Sequence, residues 1–233
     1  MTAILTRTAA AELIKLRSLP AAVATALGTV VIGVVLTAAL ASSAPSAAPT
    51  STATDAVIRA VPFLQIGPIL LGVLIVASEY AGRQIATTLA ATPDRLRLLA
   101  GKSVAYLVAA TIINVATLGA GLAAASLTIP VRAVAVRPIA GAAVYLILIG
   151  LLSLGLATVL RSLVPPLVIM LALVLIVSPL LSGYTEHARW LPDRAGSLLY
   201  RPDADPTLGT VVLVAWIALT ASAAIATFLR RDA

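Results

Sequence analysis

The sequence predicts an all-α, polytopic membrane protein: a single transmembrane domain over residues 1–233 with six spanning helices. Three observations carry that expectation. Hydrophobic residues make up 61% of the chain and charged ones 11%, about half the roughly 25% charged share of a soluble domain. The apolar residues fall into blocks of about 17 to 25, the length a helix rising about 1.5 Å per residue needs to cross a hydrocarbon core of about 30 Å. These blocks are continuous rather than alternating, which excludes barrel strands. With no water in the core to satisfy backbone N–H and C=O groups, helices remain.

Residues 1–18 carry Arg7, Glu12, Lys15 and Arg17 ahead of the first block and are expected to lie at the membrane surface. Span one covers about 20–41 and ends in a Ser/Ala/Pro/Thr run whose Pro45 and Pro49 mark a loop. Ala39-Leu40-Ala41 resembles a signal-peptide cleavage site, but the apolar stretch exceeds the usual 7 to 15 residues or so. Span two, about 61–77, contains Pro62, Gln65, Gly67 and Pro68 and is expected to be kinked or partly unwound. A polar interval runs to Ser103, and spans three to six follow at about 104–127, 139–160, 164–182 and 208–229. Little more than Arg161 and Ser162 separates spans four and five, so they should form an antiparallel hairpin. Ala116, Ala120 and Ala124, beside Gly119 and Gly121, suggest a close helix contact, internal or between subunits.

The net charge is +7, yet the basic residues sit at the ends of apolar blocks. That pattern reads as a topology signal rather than a nucleic-acid surface. With the N-terminus inside, ten Lys and Arg fall on the inner side and six on the outer, which places both termini in the cytoplasm.

The interval between spans two and three is the most informative. Ile85 and Leu89 are four apart, as are Arg83 and Thr87, so a short amphipathic helix fits before Pro93. Beyond it, Leu96 and Leu99 recur among Arg95, Arg97 and Lys102, as in a segment entering the headgroup layer. The basic N-terminal segment, the six spans, the Glu79-Tyr80 pair with Gly82 at the exit of span two, and the run Ile85-Ala86-Thr87-Thr88-Leu89-Ala90-Ala91-Thr92-Pro93 together resemble the ABC type-2 permease family, which shares its architecture with ABCG-like exporters. That resemblance implies a cytoplasmic coupling helix between spans two and three that docks on a separate ABC ATPase subunit. It implies Glu79, Tyr80, Arg83, Ile85, Leu89, Arg95 and Arg97 as the coupling residues, and an N-terminal interfacial helix. It also implies a second permease chain, identical or similar, and an outer connection between spans five and six that folds partly back as a lid. Where the family often has Gly-Thr after Glu-Tyr, this chain has Gly82-Arg83. The composition, with Arg 14 and Lys 2, suits a high-GC bacterium, and the expected location is its cytoplasmic membrane.

Chemistry within the chain is not expected. Gly101-Lys102-Ser103 ends like a phosphate-binding loop, but the leading Gly would fall at position 96, which is Leu96, and no strand precedes it. His187 is the only histidine, and there is no cysteine, so neither a metal site nor thiol chemistry is expected. No span carries facing carboxylates for acid–base work. The same scarcity disfavours ion-coupled transport. Gln65 and Asn114 are the strongly polar side chains inside the spans, and are candidates for lining a substrate path or for hydrogen-bonding a neighbouring helix. The expected function is a permease subunit that moves an amphipathic or hydrophobic substrate, such as a drug, peptide or lipid, and has no ATPase site or cofactor of its own. The rival readings are an accessory membrane protein and a membrane-embedded enzyme.

Overall fold

The computed structural model describes residues 2–43, 52–81, 95–129 and 135–230. The helices are α1 (Thr2–Ser18), α2 (Pro20–Ser42), α3 (Ala53–Leu64), α4 (Ile66–Ala81), α5 (Arg95–Ser126), α6 (Val136–Leu160), α7 (Val164–Ala172), α8 (Ser178–Ser182), α9 (Pro192–Ser197) and α10 (Pro206–Arg230). A π-helical turn, Leu173–Val177, joins α7 to α8, and a 3-10 turn, Glu186–Trp190, precedes α9. Among the described residues there is no strand. Six helical segments are long and apolar enough to cross a membrane: α2, α3 with α4, α5, α6, α7 through α8, and α10. The chain is therefore a multi-pass helical protein, as the apolar blocks require.

Two spans are longer than the hydropathy blocks. Span two begins at Ala53 rather than near residue 61, because Thr52 and Asp55 form a reciprocal capping box: the Thr52 side chain accepts from the Asp55 N–H, and the Thr52 N–H donates to Asp55 Oδ2 at 2.8 Å. That helix breaks at Gln65, between Pro62 and Pro68, as expected. Span three is also longer, because the helix starts at Arg95 and encloses Arg97 and Lys102, which the sequence places in a polar interval. Its 32 residues make a rod about 48 Å long at 1.5 Å per residue.

Spans two and four form the centre of the bundle, with 67% and 56% of their most apolar stretches enclosed against 17% to 28% for the others. They meet backbone to backbone. A Cβ on Gly150 would stand 2.5 Å from the Pro68 carbonyl oxygen, and one on Gly72 would overlap the Gly150 carbonyl. Ser153 Oγ sits 3.0 Å from the Ile69 carbonyl across the same contact. Around it pack Val57, Val61, Ile69, Leu146, Ile149 and Leu213.

Within the chain, the close approach of span three to α2 runs through Gly121 of the expected small-residue group and not through Ala116 or Gly119. Ala116 is exposed, and nothing lies within 4 Å of where a Gly119 Cβ would be. Thr117 and Gly121 instead meet Gly33 and Thr37 of α2. Spans four and five turn over within three residues. Arg161 caps α6 in the left-handed region at φ 52°, a conformation that costs a non-glycine residue about 1–2 kcal/mol. Its guanidinium donates to the Thr227 carbonyl at 3.1 Å and lies 5.9 Å from the centre of the Tyr80 ring, which ties spans two, four and six together at one end.

Candidate functional site

That end of the bundle also carries α1, and the two meet through charge. Gly101 lets α1 lie against the start of α5, since a Cβ there would come 2.6 Å from Thr8 Cγ2. One residue further on, the Lys102 ammonium lies 2.9 Å from Glu12 Oε2 and 2.9 Å from Glu79 Oε1. Lys15, one turn after Glu12 on α1, pairs with Glu12 Oε1 at 3.1 Å and with Glu79. Among the described residues, two carboxylates and two ammonium groups thus come together in one cluster that joins α1, the end of span two and the start of span three.

The cluster is enclosed. Glu79 is 1% exposed, Lys102 3% and Glu12 5%; only Lys15 reaches water, through a side chain that is 37% exposed. Burial alone would lower the Lys15 pKa, but the hydrogen bond to Glu79 and the charges of Glu12 and Glu79 outweigh it and leave it raised above 10.5. Lys102 is therefore not a headgroup anchor snorkelling at the end of span three. It is a buried cation whose two anionic partners come from elements 90 and 23 positions away in sequence.

The coupling residues named from the sequence are distributed unevenly around this cluster. Glu79 is part of it, and Tyr80 stands beside it under Arg161. Arg95 begins α5, and Arg97 is exposed on its first turn. Arg83, Ile85 and Leu89, with the expected amphipathic helix, lie outside the described residues. Glu12, Lys15 and Lys102 were not foreseen as a site. The available signals were the three-residue spacing of Glu12 and Lys15 on a helix and the placement of Glu79 and Lys102 on either side of one loop.

At the opposite end, the connection between spans five and six folds back onto the bundle. Asp193, Ala195, Gly196, Ser197, Leu199 and Tyr200 are buried. Three spans hold the connection in place: Ser178 donates to Asp193, the Trp216 indole N–H donates to the Trp190 carbonyl at 3.0 Å, and Arg137 donates to the carbonyls of Pro202 and Ala204 at 3.0 and 2.9 Å. Gly196 lies against the Tyr145 ring, and Tyr200 packs on the same ring with centroids 5.4 Å apart. Tyr200 is thus a core residue, whereas Tyr184 and Trp190 are exposed. Burial raises the Asp193 carboxyl pKa, and the Ser178 hydrogen bond and the Arg194 charge offset that only in part. Burial likewise pushes the Tyr200 hydroxyl up to about 12.

The two polar residues inside the spans have different surroundings. Gln65 is tied on both sides, accepting from the Tyr145 hydroxyl and donating to the Pro62 carbonyl at 2.7 Å. It fills the break in span two and is a structural group. Asn114 is 1% exposed, and neither of its amide atoms has a hydrogen-bond partner. Compared with models of known protein families and with curated proteins, the chain matches none.

Proposed function

We propose that this chain is the membrane-spanning subunit of an ABC exporter, worked by a separate cytoplasmic ATPase and paired with a second permease chain around a central path. The supporting observation is the buried charge cluster. The segment expected to contain the ATPase-coupling element runs from Glu79 to Lys102, and the side chains at its two ends are paired with each other and with α1. A push on that stretch reaches span two, span three and α1 together. Differential contact of the ATPase pair with two arrangements of the bundle supplies the work of alternating access. In this orientation both termini and the charge cluster face the cytoplasm, following the excess of Lys and Arg on that side. The connection around α9 then lies over the outer exit. The apolar spans suit an amphipathic or hydrophobic cargo, and the bacterial cytoplasmic membrane is the proposed location.

The test is copurification in mild detergent with ATPase assay. The variant should replace only residues 83–92 by a Gly/Ser linker, which leaves Glu79 and Lys102 in place. The permease reading expects a nucleotide-binding partner that copurifies with the wild type and is lost from the variant. If the wild type recovers no ATPase under conditions that preserve a known transporter complex, an accessory membrane role becomes the better account.

A further inference from the structure

Asn114 has no part in the packing described so far. A buried donor or acceptor left unmade costs about 1–3 kcal/mol, and both atoms of this amide are in that state. Water does not relieve it. The crevice holding Asn114, walled by Thr25, Ala26, Thr29, Gly67, Pro68 and Leu71, has about 0 Å³ open to a water molecule, and a water needs roughly 10–15 Å³.

Immediately outside that crevice, α2 and span two enclose a groove of about 370 Å³, within the range of about 300–1,000 Å³ typical of small-molecule sites. Thr25, Thr29 and Gly67 belong to both walls, so Thr29 is the partition between groove and amide. It closes against Gly67, where a Cβ would stand 2.6 Å from Thr29 Cγ2. No charged side chain lines the groove; its polar side chains are Thr25 and Thr29. Both hydroxyl protons are used within α2, on the carbonyls of Ala21 at 2.8 Å and Thr25 at 2.7 Å, which leaves the oxygens free to accept. The groove therefore offers acceptors at Thr25 and Thr29, and behind the Thr29 partition stands the Asn114 amide with an acceptor oxygen and an NH2 donor.

We propose that this groove binds an uncharged amphiphile whose amide group pairs with Asn114 once α2 carries Thr29 away from Gly67. An amide presents both an N–H and a carbonyl, and so satisfies both halves of the Asn114 side chain, while its apolar chain lies against Ile32, Phe63 and Leu70. A carboxylate or an ammonium would enter with no counter-charge. An ester could satisfy only the Asn114 N–H. Treating this amphiphile as the exported cargo rests on the permease reading, whereas the binding itself does not.

The experiment uses the chain alone in lipid nanodiscs, without any ATPase, so its failure is separable from failure of the copurification. Two photoreactive probes are compared, a stearamide with a diazirine on its chain and the matching methyl ester, and crosslinks are mapped by mass spectrometry. The amide should label the groove about tenfold more strongly than the ester at sub-saturating concentration, the difference expected for one charge-free hydrogen-bonding group. Asn114→Leu should bring amide labelling down to the ester level while leaving the unfolding temperature unchanged or higher. Gly67→Ala, which wedges Thr29 away from span two, should increase amide labelling. Equal labelling of the wild type by amide and ester overturns the proposal, as does an amide preference that survives Asn114→Leu.

Discussion

Removing the Lys102 ammonium tests what the buried cluster contributes. In Lys102→Met the stem is replaced at similar length, but Glu12 and Glu79, 5% and 1% exposed, lose a cation that stood 2.9 Å from each. Lys15 remains, with a side chain 37% exposed and already engaged with both carboxylates. Breaking a buried pair from one side typically costs about 3–5 kcal/mol, because the stranded charge keeps its desolvation penalty. For a chain of this size that corresponds to a fall in unfolding temperature of roughly 6–20 °C. The double variant Lys102→Met with Glu12→Gln removes one of the two stranded carboxylates, leaving Glu79 with Lys15, and should recover at least half of the loss. Thermal unfolding in nanodiscs reads the stability, and tryptic cleavage at Arg17 reads release of α1. A single variant that unfolds within about 2 °C of wild type, or a double variant no better than the single, would refute the view that Lys102 is held by these two acids.

Other predictions concern the far end and the centre. Because the folded-state pKa of Asp193 is raised above 3.8, ionisation disfavours the packed connection; its contribution is most favourable below pH 3.8 and is lost as pH rises through the raised value. Asp193→Asn should therefore stabilise the protein at pH 7 and flatten the difference in unfolding temperature between pH 7 and pH 4.5. Tyr145→Phe strands the buried Gln65 carbonyl oxygen and should cost about 1–3 kcal/mol, measured by thermal unfolding, and Gln65→Leu in the same chain should restore most of it. At the crossing of spans two and four, Gly150→Ala places a methyl against the Pro68 carbonyl, which cannot give way as a side chain could. It should destabilise by about 1–3 kcal/mol, whereas Gly119→Ala, with open space around it, should be neutral in the same assay.

The spans were legible because hydrocarbon selects for long apolar runs, and the break at Gln65 was legible because Pro62 and Pro68 flank it. The first turns of span two were not, since Thr54, Asp55 and Arg59 interrupt the apolar pattern; the Thr52–Asp55 capping box was the signal that a helix starts there. The start of span three was missed for a related reason. Arg95, Arg97 and Lys102 look like loop residues to a hydropathy scale, yet Lys102 finds its counter-charges inside the bundle. Partners separated by 64 and 90 positions leave no periodic trace, which is why the charge cluster emerged only from the fold. Within the small-residue group of span three, the spacing alone does not say which members meet a neighbour; the facing Gly33 and Thr37 of α2 pick out Gly121, with Thr117, as the contact within the chain.

The lengths of spans two and three also set their mechanical character. Joined at Glu79 and Lys102, span three is an unbroken rod of 32 residues without proline, and span two has one irregular turn at Gln65, through which the Gln65 N–H still bonds the Val61 carbonyl and the Ile69 N–H the Gln65 carbonyl. A tilt of roughly 10° imposed at the clamped end would sweep the far tip of the rod through about 8 Å over its length of about 48 Å. A displacement applied at the charged end is thus amplified along span three, whereas span two is held at its middle by the Gly72–Gly150 contact and by Gln65 on Tyr145.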